Sequence, residues 1–211
     1  MCLEKLIRKE INSIFEKLKI ANHYLQEWEV INLLNNEDNG KIYKQHYFSL
    51  AFIKKSYIEY CLVILNTIFS NDGVGNLPTL RKKSEYFLGK RLSRLDEIFP
   101  DFNRIKDGLK IIRDKTIAHT EDYDINIFYK KAKISKKDID ELIRNILDFL
   151  NYILNESNIN LGKDLLLNYN NEIGIKIIYN KLKESDPQIA LEKELDKIQE
   201  EINKLDRVCE P

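Results

Sequence analysis

The stretch Tyr57-Ile58-Glu59-Tyr60-Cys61-Leu62-Val63-Ile64-Leu65-Asn66-Thr67-Ile68-Phe69 decides the fold class. Apolar residues continue upstream of it through Ile53, Ala51, Leu50 and Phe48. The segment from about Tyr43 to Phe69 is therefore apolar around most of a helical circumference, and it is too long for a strand. A helix that is apolar nearly all round belongs at the centre of its fold. The polar run Asn71-Asp72-Gly73-Val74-Gly75-Asn76 closes it as a loop.

Other helices are legible on either side. Upstream, Leu3, Leu6, Ile7, Ile11, Ile14, Phe15 and Leu18 recur at helical spacing. The pattern continues through Tyr24, Leu25 and Trp28 to Leu34, which predicts one long or kinked amphipathic helix ended by Asn35–Gly40. Downstream, Pro78 suits the first turn of a shorter helix through Phe87. A further short segment covers about Lys90 to Ile98, and Pro100-Asp101 opens a helix through Ile105, Leu109 and Ile112. Residues 120–134 read as a polar excursion.

Ser135-Lys136-Lys137-Asp138 has the form of a capping box with Asp in the usual Glu position, and a strongly periodic helix follows from Ile139 to Leu154. Leu165 to Tyr179 fits a helix or a short hairpin, with helix favoured. Beyond Ser185 the tail carries Leu191, Leu195, Ile198, Ile202 and Leu205 at the alternating spacing of a coiled-coil seam. That seam fits a helix packed on its own body or a dimerisation arm. The expected organisation is a helical bundle over residues 1–157, a helical extension over 158–184 and an amphipathic C-terminal helix over 185–211.

Composition agrees with an all-α chain. Only 7 Gly and 4 Pro occur in 211 residues, too little turn punctuation for many short strands. The 34 basic and 34 acidic residues cancel, so any attraction for phosphate must be local. Three basic clusters stand out: Arg81-Lys82-Lys83, Lys90-Arg91 with Arg94, and Lys130-Lys131 with Lys133, Lys136 and Lys137. Each reads first as a solvated face. The three cysteines Cys2, Cys61 and Cys209 have neither metal-ligand spacing nor the even count of a disulfide framework, and Cys61 reads as a buried thiol. No signal-peptide core and no apolar run of membrane-spanning length is present, so the expected location is the cytoplasm, with no membrane partner.

Chemistry is narrowed by what is missing. The three histidines His23, His46 and His119 form no paired metal motif, no glycine-rich phosphate loop follows a strand, and no nucleophile elbow is present. No metal site and no cofactor is expected. His23 and His46 read as structural histidines. What remains is Ile112-Arg113-Asp114-Lys115-Thr116-Ile117-Ala118-His119 at the end of an apolar helix.

At about 100° per residue, Arg113 and His119 stand about 120° apart on a straight helix. They reach one rim if the helix loosens after Ile117, or they face a twofold-related copy. Histidine titrates near neutrality and can exchange a proton with a ribose 2′-hydroxyl or a leaving oxygen. Arginine forks onto phosphate oxygens and stabilises charge that builds there. Asp114 can orient either group. Such chemistry needs no metal and requires a 2′-hydroxyl, which points to RNA. The plain structural alternative is a histidine interacting with a helix C-terminus.

At these residues the sequence resembles the HEPN superfamily, whose motif is Arg, a polar residue directly after it, and His after four to six intervening residues. Arg113, Asp114 and His119 fill those places with five residues between. The extended form Arg-Asp-Lys-x-x-Ala-His resembles the abortive-infection U-type branch. So does the upstream order of an apolar helix over Leu62–Phe69, a polar loop, and Leu77-Pro78-Thr79-Leu80.

The resemblance covers roughly residues 5 to 155. It implies an up-down helical bundle that dimerises and brings two motifs into one cleft, and metal-independent endoribonuclease activity in a toxin or defence effector. Carried over, Arg113 contacts phosphate, His119 is the acid/base and Asp114 supports them. Lys115, Thr116 and Tyr123 are the candidate RNA contacts, with Tyr129 a further stacking ring. Many relatives bind without cleaving, so a non-catalytic binding or scaffold module is the alternative. The expected partners are RNA, a second copy, and an antitoxin or other defence-system protein. His119 is followed by Thr120-Glu121, so the His-x-Tyr extension of toxins silenced by a nucleotidyltransferase antitoxin is missing.

Overall fold

A computed structural model describes residues 3–34, 41–71, 73–92, 102–118, 134–161, 165–167 and 174–185, together with 194, 195 and 197. For 41, 102, 113, 115–118 and 185 the description is of the backbone. Among the described residues there are seven helices and no strand. They are α1 (Leu3–Leu34), α2 (Lys41–Gln45), α3 (Tyr47–Phe69), α4 (Leu77–Leu88), α5 (Phe102–Ala118), α6 (Lys136–Ser157) and α7 (Gly174–Ser185). The chain is all-α, as the helical periodicity requires. It divides into two compact units, one of residues 1–28 and 52–169, the other of 29–51 and 170–211.

The first unit is the helical bundle. From α1 it buries Ile7, Ile11, Ile14, Leu18, Ala21 and Leu25, a single stripe with alternating steps of four and three. From α3 it buries Ile58, Cys61, Leu62, Leu65, Ile68 and Phe69. Leu77 and Leu80 of α4, Ile105, Leu109 and Ile112 of α5, and Ile139 through Ile153 of α6 complete the same core. Within this unit α4 packs on α6.

Local chemistry sets the ends of these helices. Asn76 caps α4, its Oδ1 accepting from the Thr79 amide at 2.8 Å, and Gly89 closes it in the left-handed region. Ser135 and Asp138 form the expected capping box at the start of α6. At the far end Asn158 takes the left-handed conformation, and the amide of Ile159 donates back to the carbonyl of Leu154.

The loop before α4 is clamped onto α1. Glu10 is only 3% exposed. It accepts from the Gly75 amide at 2.6 Å and from Lys83 Nζ at 2.6 Å. Lys17 donates to the carbonyls of Val74 and Gly75. Gly75 has φ +76°, and a Cβ there would lie 2.2 Å from Ser13 Oγ. Both conformation and space require glycine.

The second unit centres on Leu34, Ile42 and Tyr179, with Val30 and Leu182 against them, and α2 packs on α7. Two sequence expectations are refined here. The segment read as one helix from about Tyr43 has a turn at His46, although His46 and Leu50 still donate to the carbonyls four residues back. Within Leu165–Tyr179, residues 165–167 have no regular structure and those from Gly174 onward are helical.

The expectation that the helix through Phe69 is covered nearly all round holds only from Cys61 to Phe69. Phe48 is 88% exposed, Phe52 71% and Tyr60 58%. An apolar sequence fixes how much surface a helix offers for burial, whereas its neighbours decide how much is covered. The segment from Lys90 to Ile98 lies mostly outside the described residues, as do the excursion at 120–133 and most of the tail seam.

Candidate functional site

Helix α5 carries the motif. Its buried side is Ile105, Gly108, Leu109 and Ile112, whereas Lys106, Asp107, Lys110 and Asp114 are exposed. The backbone stays helical through positions 113 and 115–118 and is assigned helix as far as Ala118, one residue before the motif histidine. Position 113 is one 100° step from the buried Ile112 and one step from the exposed Asp114, at the border of the packed and solvated faces. Asp114 is on the solvated face, where a supporting polar residue is accessible. His119 and Tyr123 lie outside the described residues, and for Arg113, Lys115 and Thr116 the description is of the backbone.

The opposite end of α5 is fixed by a group that the sequence reading missed. Arg104, in the first turn, donates to Asp138 Oδ1 at 2.5 Å. Asp138 also accepts from the Ser135 amide at 2.7 Å and from its hydroxyl at 2.6 Å. Burial alone would raise the Asp138 carboxyl, but the Ser135 hydrogen bonds and the Arg104 guanidinium outweigh it and hold the group at about 2. The motif helix is thereby tied at its start to the cap of α6. Nothing in the sequence pairs two residues 34 positions apart, so periodicity alone offers no signal for this contact.

Among the described residues, five members of the basic clusters pair with acids of the same chain. Arg81 pairs with Glu85 at 2.9 Å and Lys83 with Glu10. Lys90 pairs with Glu156. Lys136 and Lys137 meet Asp140 and Glu141 one helical turn on. These pairs fit the reading of solvated faces.

Cys61 is the expected buried thiol. Burial, then the nearby Asp140 charge, pushes it up to about 12, so it stays protonated and is no nucleophile. Cys2 and Cys209 lie outside the described residues. His23 sits half-exposed, with Nε2 3.6 Å from Glu27 and its ring 6.0 Å from Tyr24. Among the described residues no three His, Cys, Asp or Glu side chains converge as a metal site, and no helix is long and apolar enough to cross a membrane.

The chain is a helical bundle whose fifth helix carries Arg113 and the exposed Asp114. The model of the AbiU2 HEPN family matches residues 4–177, and the chain belongs to that family. The match extends beyond residues 5–155 into α7 and leaves out the tail from 178. No curated protein and no solved structure matches the chain.

Proposed function

We propose that this protein is a metal-independent endoribonuclease of a bacterial defence system, cleaving RNA as a homodimer in a cleft built from two copies of the α5 motif. The observation that carries the reading is the family match spanning the motif, whose residues 112–118 are helical with Asp114 exposed. In this reading Arg113 forks onto the scissile phosphate and stabilises the charge that builds on it. One imidazole takes the 2′-hydroxyl proton. The 2′-oxygen–phosphorus bond then forms as the bond to the 5′-oxygen breaks, and the leaving oxygen takes a proton from a second imidazole. Each chain supplies one His119, so base and acid are provided together only by two chains.

Asp114 orients Arg113 or His119. Lys115, Thr116 and Tyr123 hold the RNA beside the cleft. The protein acts in the cytoplasm, where an antitoxin or another defence-system protein restrains or triggers it.

The alternative is a non-catalytic binding or scaffold module. It is favoured by the zero net charge and by the intramolecular pairing of the basic clusters. Induced expression of the wild type beside Arg113→Ala and His119→Ala separates the two, with growth and RNA integrity read together. The nuclease reading expects RNA decay and growth arrest with the wild type and neither with the variants, at equal protein level and equal dimer content. Equal effects from all three proteins would contradict it.

A further inference from the structure

One face of the bundle carries aromatic rings in excess of what its core needs. It lies wholly within the first unit, where α1 and α3 run side by side. Trp28, Tyr24 and Ile20 lie on α1 at intervals of four, and Lys54, Tyr57 and Tyr60 on α3 at intervals of three. Residues at these intervals form the ridges along which two helices meet.

The rings are in contact along this seam. Tyr24 stands 5.7 Å from Tyr57, and 5.7 Å from Tyr60 with 27° between the planes. Lys54 Nζ is 6.0 Å from the centre of the Trp28 ring. The seam is not closed over: Tyr60 is 58% and Ile20 47% exposed, and Trp28, Tyr24 and Tyr57 are half-buried. From Lys54 to Tyr60 the row spans about 9 Å of helix.

Charge is what distinguishes this face from an ordinary apolar one. Lys54 has no carboxylate partner among the described residues, whereas its neighbour Lys55 is 4.0 Å from Glu59. Partial burial lowers the Lys54 ammonium, so the cation is held against the rings with part of its hydration removed. Glu27, whose charge acts on the Tyr57 hydroxyl, is itself buried at 3% exposed and lies 3.6 Å from His23 Nε2. An under-hydrated cation beside half-open, stacked rings offers a phosphate its counter-charge and a base its π-face in one place.

We propose that the α1–α3 seam of Trp28, Tyr24, Tyr57, Tyr60 and Lys54 is a stacking platform for single-stranded RNA, separate from the α5 motif. Bases lie on the tyrosine rings and the indole, and Lys54 meets the backbone between them. The platform serves to hold substrate for the proposed nuclease and rests on that reading for its choice of RNA. A surface between two copies of the chain is the competing use of the same face.

The test uses the full chain in a His119→Ala background, so that the RNA stays intact. Trp28 is the chain's single tryptophan, so its emission reports the platform directly. The probes are a single-stranded oligoadenylate and the same ribose-phosphate chain without bases.

The expected result is quenching of Trp28 emission by oligoadenylate. Tyr60→Ala should weaken binding about tenfold, Tyr60→Phe little, and the abasic strand should bind about tenfold more weakly. Lys54→Gln should reduce the salt dependence by about one phosphate contact. Phe52 is exposed on the same helix but about 140° away from Tyr57, so Phe52→Ala should leave affinity unchanged.

The proposal is overturned if Tyr60→Ala binds as the background protein does, if Phe52→Ala loses as much, or if Tyr60→Ala changes the dimer fraction and not RNA affinity. Cleavage by the wild type that depends on His119, together with unquenched Trp28, would sink the platform and leave the nuclease standing.

Discussion

Helices α5 and α6 are joined by an ion pair and are secured in different ways. α6 has a capping box at its start and a left-handed asparagine at its end, and Ser157 Oγ bonds back to the carbonyl of Ile153. Its side facing the core is continuous from Ile139 to Ile153. α5 is secured at its first turn by Arg104, buries Ile105, Leu109 and Ile112, and exposes Asp114 within the run Arg-Asp-Lys-Thr. α6 holds the bundle together. α5 is tied to α6 at its first turn and presents Asp114 to solvent.

The sharpest way to break this contrast is to remove a large core ring from α6. Phe149 is 2% exposed, and Phe149→Ala should cost about 3–5 kcal/mol in chemical denaturation. A loss below about 1 kcal/mol would mean that α6 is not the keystone.

The tie between the helices comes next. Asp138 is held at about 2, against about 3.9 when unfolded. Its folded-state value is depressed, so its contribution is complete above about pH 4 and disappears as the pH falls towards 2. Asp138→Asn should therefore lose about 1–2 kcal/mol at neutral pH, discounted for the partly exposed Arg104, and flatten the acid limb of the stability curve. An unchanged acid limb would remove the tie from the account. The smallest effect on stability belongs to Asp114→Asn, within about 0.5 kcal/mol of wild type, while the rate of RNA cleavage falls. A large loss of stability with unchanged cleavage would make Asp114 structural.

Legibility in the sequence follows the same contrast. The capping box at the start of α6, the Pro78 start of α4 and the buried stripe of α1 were readable because each depends on residues within one or two turns of one another. The Arg104–Asp138 pair, the buried Glu10 clamp and the ring contacts of Tyr24 are long-range, and local spacing carries no information about them. The exposed half of α3 escaped for the same reason, since Phe48 and Phe52 look like core until the neighbours are known. Arg113, Asp114 and His119 are proposed by likeness more than by physics. An Arg-Asp pair near a helix end is chemically ordinary, and its meaning comes from the family to which the chain belongs.

The central claim is that two copies of α5 complete one nuclease cleft. The direct measurement is cleavage of a labelled single-stranded RNA, with a chelator present, by purified wild type, Arg113→Ala, His119→Ala and an equimolar, subunit-exchanged mixture of the two variants. The account predicts cleavage by the wild type, none by either variant alone, and no recovery in the mixture, where a mixed dimer retains one of the two imidazoles that base and acid require. Cleavage by His119→Ala alone at the wild-type rate would contradict it.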